Sequence, residues 1–235
     1  MTQQHPGYYI DVALCIDGTG SMHGLIDNIR QTTQAVRELF TESMARQHRR
    51  VSRFRIRLIV FRDYLYDGDE AMVESDFFDL DDPDQQLAFE DFVDGIEAVG
   101  GGDPAENALE ALVLALRSRW TSEGGRYRRH AIMLFTDAPA LPLRDPQRME
   151  APGYPQDMPA TLSELLDLFK QGDPVHAPDY SPRHGRLVVF APESASDTWS
   201  ALKTWERTWV VPTRPGGGCT EVELKDALFP SYDVY

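Results

Sequence analysis

Cysteine is scarce: the 235-residue chain holds two, Cys15 and Cys219. That excludes a disulfide framework, and neither cysteine sits in a zinc-binding spacing. Cys15 lies in an apolar run, where a free thiol behaves as a small hydrophobe. Positive charge is scarce as well, with 23 Lys and Arg against 38 Asp and Glu and a formal net charge of −15. Nucleic acid and anionic membranes both require a basic face, so neither is an expected partner. An acidic surface of this kind favours solubility and is compatible with cation binding. No stretch approaches the roughly 18 apolar residues of a membrane span. The opening MTQQHPGYY carries neither a basic leader nor an apolar signal core, so a soluble cytoplasmic protein is expected.

What is present suits one large α/β domain. Hydrophobic residues make up 42% and aromatics 10%, enough for a sizeable core. A mostly apolar run at 8–16 reads as a buried central strand. Leu25, Ile29, Val36, Leu39 and Phe40 then recur at helical spacing, predicting one long helix from Met22 to about Arg46. A second strand is predicted at 53–61, a weaker edge strand at 71–80 and a helix over 85–99. After a Gly-rich break with Pro104 come a helix at 106–120 and a buried strand at 129–135. Residues 138–159 are proline-rich without periodicity and read as a long loop, the kind that is functional or disordered. A helix at 161–170, a strand at 186–191, a helix at 196–207 and a strand at 208–211 complete the pattern. Trp199, Trp205 and Trp209 read as core, and His23 as a residue at the rim of the first loop. The acidic run at 76–84 reads as a solvated turn. The tail at 212–235 is left as a tail, whose Phe229, Tyr232 and Tyr235 pack on their own domain or dock on a partner.

Strands alternating with helices imply a Rossmann-like, doubly wound, mostly parallel sheet of about six strands with helices on both faces. Ligands of such sheets bind beyond the carboxyl ends of the strands. Asp17, Asp63 and Asp137 each follow an apolar strand, and Asp103 precedes a helix, so all four are expected at that edge. The loop Asp17-Gly18-Thr19-Gly20-Ser21 could serve three chemistries. A phosphate-binding loop needs a lysine beside its hydroxyl residue, but Met22 follows Ser21, and His23 stands where a dinucleotide fingerprint has its third glycine. An aspartyl phosphatase needs an acid/base aspartate two residues on, and that position is Thr19. A metal seat needs hard oxygen ligands, which Asp17, Thr19, Ser21, Asp103 and Asp137 supply. Carboxylates about 4 Å apart repel by roughly 4 kcal/mol at an effective dielectric of 20, a cost that a divalent cation removes. The metal reading is favoured over simple helix capping by the set of five, although capping accounts for any one of them alone.

These residues resemble the von Willebrand factor type A family. Asp17-Gly18-Thr19-Gly20-Ser21 is similar to its Asp-x-Ser/Thr-x-Ser signature, Gly101-Gly102-Asp103 falls at its second loop, and Phe135-Thr136-Asp137 resembles its final strand end. The stretches DGTGSM, FRDY and GGGDPAENALEAL look closest to the intracellular bacterial branch, including domains linked to alpha-kinases. The resemblance implies a metal-ion-dependent adhesion site (MIDAS) holding Mg²⁺, or Mn²⁺ or Ca²⁺. Its ligands would be Asp17, Thr19, Ser21, Asp103 and Asp137, with Asp63, Gly102 and Thr136 behind them. Asp103 stands where the family usually has a threonine, which makes the seat more anionic. Asp63 is expected behind the ligands or as a partner of Arg62. The implied function is non-enzymatic: an adaptor that recruits a protein through an acidic side chain on the ion. A MoxR-type AAA+ ATPase or a kinase or phosphatase is the implied kind of partner, and the 138–159 loop is expected to shape that choice. A metal-dependent phosphoester hydrolase using the same carboxylates is the alternative.

Overall fold

A computed structural model describes residues 7–101, 105–193, 197–213 and 220–228. In chain order the elements are β1 (Tyr8–Asp17), α1 (His23–Ile26), α2 (Ile29–Arg46), β2 (Val51–Phe61), β3 (Met72–Glu74) and β4 (Phe78–Asp79). They continue with α3 (Pro83–Asp94), α4 (Ala108–Leu116), β5 (Arg128–Phe135), α5 (Pro146–Met149) and α6 (Leu162–Gln171). Last come β6 (Gly185–Ala191), α7 (Asp197–Leu202), β7 (Thr208–Pro212) and α8 (Glu221–Leu228). The sheet order is β3-β2-β1-β5-β6-β7, with β4 also pairing β2. Only β3 and β4 run antiparallel, both on the β2 edge. The chain leaves β1 outward to β2 and returns to its other side at β5, so the topological switch lies at β1.

Period-two alternation inside the apolar β1 run sorts its side chains between two cores. Ile10, Val12, Leu14 and Ile16 join Ile29, Val36, Leu39 and Phe40 of α2 and Phe89 of α3 on one face. Ala13 and Cys15 join Leu109, Leu112 and Leu116 of α4, Leu165 and Phe169 of α6 and Trp199 of α7 on the other. Trp199 and Trp205 are buried as expected, whereas Trp209 is only half-buried beneath Arg186. No helix among the described residues is long and apolar enough to cross a membrane.

Several elements depart from the sequence reading. The long first helix is broken: a 3-10 turn at Gly20–Met22 leads into α1, and α2 starts only at Ile29. Asp27 and Asn28 are weak helix formers, and Asn28 Nδ2 donates to the Gly24 carbonyl at 2.6 Å, which favours a turn there. α3 ends at Asp94, before Gly95, not at Val99. The expected edge strand is two short pieces around a loop. Residues 138–159 contain α5, whose Asp145 cap accepts from the Gln147 and Arg148 amides, with Pro146 in its first turn. The tail carries α8, whose Leu224, Ala227 and Leu228 enter the α2-side core. The acidic run is partly paired, Asp79 with Arg53 and Asp81 with Arg37, and Asp82 caps α3. Phe229, Tyr232, Tyr235 and Cys219 lie outside the described residues.

Candidate functional site

Parallel register carries the candidate residues to one edge. Asp17 pairs with Phe61 of β2, and Ile16 with Phe135 of β5. The residues that follow, Arg62-Asp63 and Thr136-Asp137, therefore flank the β1 loop. Asp17 is 0% exposed, and both of its oxygens are occupied. Oδ1 accepts from the Thr19 amide at 3.0 Å and the Thr19 hydroxyl at 2.6 Å, while Oδ2 accepts from the Thr136 hydroxyl at 2.7 Å. Burial pushes the Asp17 carboxyl above its ordinary range and the nearby Asp137 charge adds to this, against the opposing pull of the Thr19 and Thr136 hydrogen bonds.

Ser21 is exposed and donates from its hydroxyl to Asp137 Oδ1 at 3.0 Å. The Thr19 and Ser21 hydroxyl oxygens stand 3.2 Å apart. When Thr19 donates to Asp17 and Ser21 to Asp137, both protons are directed at carboxylates, and lone pairs of both hydroxyls are left for a shared electrophile. Two cis ligands of one octahedral cation at about 2.1 Å are separated by about 3 Å, close to this spacing. The structure thus brings together Asp17, Thr19, Ser21 and Asp137, with Thr136 behind Asp17. Asp103 and Gly102 lie outside the described residues. Among the described residues, no group of three or more His, Cys, Asp or Glu side chains could hold a metal ion; the cluster is two carboxylates and two hydroxyls. His23 is exposed at the rim, its Nδ1 3.2 Å from the Gly20 carbonyl.

Asp63 does not pair with Arg62. Consecutive residues at a strand end point to opposite sides. Asp63, 0% exposed, meets Arg148 of α5, with Arg148 Nε donating to Oδ1 at 3.0 Å and Nη2 to Oδ2 at 2.6 Å. Arg62 instead turns inward, 1% exposed, and donates to backbone carbonyls. Sequence reasoning missed Arg148 and also the buried Glu110, whose Oε1 accepts from the Tyr154 hydroxyl at 2.8 Å. Burial raises the Glu110 carboxyl above its ordinary range, against the pull of the Tyr154 and Asn107 hydrogen bonds. Glu110, set between Leu109 and Ala111 in an apolar helix, carried a readable signal; Arg148, in the polar run that begins at Arg144, carried none.

A family model described as von Willebrand factor A domain matches residues 11–151. The chain belongs to the von Willebrand factor A (vWA) domain family. The match takes in the Asp17 loop, Asp137 and α5. No curated protein matches the sequence. Among solved structures, two crystal structures of the pilus adhesin SpaC from Lactobacillus rhamnosus GG are similar, one of them in an open conformation. The open form is 16% identical with a TM-score of 0.40, over 57% of this chain and 15% of the adhesin. The other is 18% identical with a TM-score of 0.39, over 57% of this chain and 16% of that adhesin. The chain thus spans only a small part of the length of these adhesins. The mostly parallel sheet of this chain, with helices on both faces, is the architecture expected from the sequence.

Proposed function

We propose that this vWA domain is a non-enzymatic interaction module that holds one divalent cation at the β1 edge and captures an acidic side chain of a partner protein through it. The observation that carries this reading is the clustering of hard oxygens: the Thr19 and Ser21 hydroxyls stand 3.2 Å apart, with Thr19 2.6 Å from Asp17 Oδ1 and Ser21 3.0 Å from Asp137 Oδ1. Oxygen donors of this kind suit Mg²⁺, Mn²⁺ or Ca²⁺. Thr19, Ser21 and Asp137 would hold the ion, Asp17 would act directly or through water, and Thr136 would orient Asp17. Asp103 belongs to the proposed set by its place in the family's second loop. The cation would supply a positive centre with coordination positions open to a carboxylate, in an otherwise acidic protein with net charge −15.

The purified domain is expected to bind one Mn²⁺ by electron paramagnetic resonance titration, and Asp17→Ala to lose that binding by at least about a hundredfold. Truncation removes the acceptor that holds the Thr19 hydroxyl, and with it the ligand geometry. Circular dichroism on the same samples shows whether the variant is folded, and Asp17→Asn, which keeps a hydrogen-bonding group for both Thr19 and Thr136, is the control that preserves these contacts. A wild-type domain without saturable Mn²⁺ binding removes the reading. Sustained Mn²⁺-dependent turnover of p-nitrophenyl phosphate, lost in Asp17→Ala, would replace it by a phosphoester hydrolase.

A further inference from the structure

Among the described residues Arg62 is the largest fully buried side chain, yet it reaches no carboxylate among them closer than Glu70 Oε2 at 3.9 Å. Its guanidinium is satisfied by backbone instead. Nε donates to the Gly18 carbonyl at 3.0 Å and the Val99 carbonyl at 3.1 Å, Nη2 to the Glu97 carbonyl at 2.6 Å, and Nη1 to the Glu70 carbonyl. Three separate segments are therefore tied to one planar fork: the Asp17 loop, the 95–101 loop and the turn that follows β2. The backbone reinforces the same junction, since the Val99 amide donates to the Gly18 carbonyl at 3.1 Å.

The packing around this fork leaves little freedom. A Cβ on Gly18 would stand 2.7 Å from Val60 Cγ1 and 2.9 Å from Arg62 Cζ. Gly100, at φ +83°, has room for no side chain either, because its Cβ would meet Asp67 Oδ1 at 2.0 Å. Gly101, at φ +98°, lies over Thr19, with its Cβ position 3.6 Å from Thr19 Cβ. The 95–101 loop is thus seated against the hydroxyl residue whose orientation matters at the edge.

We propose that Arg62 is the positioning residue of the cation site, setting the ion's affinity by locking Gly18 and the 95–101 loop around Thr19. The proposal rests on the cation reading above. Gly18 lies between Asp17 and Thr19, so a displacement there is passed to the Thr19 hydroxyl, and ligand sets tolerate displacements of only about 0.5 Å. Charge alone does not do this. A lysine keeps the positive charge but replaces the rigid fork by a single ammonium, which cannot reach four carbonyls spread around a plane.

The test compares wild type with Arg62→Lys, and with Arg62→Gln as a second, uncharged variant. Mn²⁺ affinity is read by paramagnetic resonance well below the melting temperature, and amide hydrogen exchange is read on the same samples. The expected result is Mn²⁺ binding at least about tenfold weaker in Arg62→Lys. Faster exchange is expected at residues 18–22 and 97–101, with unchanged protection at 132–135 in the centre of the sheet. A merely structural arginine would instead loosen the whole sheet and leave affinity at low temperature intact. Unchanged affinity in a folded variant overturns the proposal. So does exchange that rises uniformly, or global unfolding of both variants, because Arg62 would then hold the domain and not the site. If wild type itself binds no Mn²⁺, the cation reading fails, and with it the assignment of Arg62 to the ion; the exchange pattern then shows separately whether the fork holds the two loops.

Discussion

Arg148→Met is expected to cost the domain about 3–5 kcal/mol, the range found when one member of a buried ion pair is removed. Asp63 is 0% and Arg148 5% exposed, and the contact is two-pronged, so the lost partner leaves a carboxylate with little access to water. The Leu65 amide, donating to Asp63 Oδ1 at 2.8 Å, compensates only part of the charge. For a chain of this size the loss corresponds to a fall in melting temperature of roughly 10 °C. The double variant Asp63→Asn with Arg148→Met is expected to recover a large part of that loss, because no charge remains stranded. Thermal unfolding of the single and double variants reads both numbers.

Where the loss is felt is a separate question. The 138–159 segment is also held by the Tyr154–Glu110 hydrogen bond and by Leu143, Tyr154 and Met158 in the core on the α4 side. If those contacts suffice, the single variant stays cooperative and resists proteolysis between residues 144 and 158. If they do not, that segment is cleaved first while the sheet remains intact. A loss below about 1 kcal/mol would show that the pair is solvated in solution and does not fasten the 138–159 segment.

The edge of the sheet was legible in the sequence because it is written locally. An apolar run closed by Asp17 and another closed by Thr136-Asp137 state both the strand and its end, and parallel pairing then does the rest. Thr19 and Ser21 were readable for the same reason, since their spacing from Asp17 is fixed by one short loop. The fastening of that edge was not readable. Arg62 looked like half of an Arg62-Asp63 pair, but neighbouring side chains at a strand end diverge, and the real partners lie 8 to 85 residues away. The α1–α2 break was hidden because the apolar spacing on either side remains helical, and the cost of Asp27-Asn28 is small against it. α8 was passed over for a related reason: eight residues give little periodicity, and its place is decided by the core it covers and not by its own propensity.

The strongest response to pH is expected from His130, away from the edge. It lies in β5 in a three-ring cluster, 4.8 Å from Trp120 and 5.9 Å from Tyr180 between ring centroids, with Trp120 and Tyr180 themselves 5.7 Å apart. Burial there, with Arg128 and His184 nearby and Arg55 further out, pushes its pKa down to about 3, from an ordinary 6.5. Between those values the unfolded chain holds a proton that the folded chain does not, so stability rises with pH. The contribution is whole above about pH 6.5 and is lost toward pH 3 at up to about 1.4 kcal/mol per unit. His184, also shifted down by burial and by arginines around it, acts in the same direction. Asp17 and Glu110 act oppositely, because their raised proton affinity favours the folded state as pH falls. His130→Phe keeps an aromatic ring in the cluster and removes the titrating group, at the cost of a long contact from the Ser181 amide at 3.5 Å and of the Thr121 backbone contact. Urea unfolding at pH 7, 6 and 5 is therefore expected to show wild type losing about 2 kcal/mol more than His130→Phe by pH 5. Parallel profiles for the two proteins would mean that His130 is protonated in the folded state, and that its cluster with Trp120 and Tyr180 admits water.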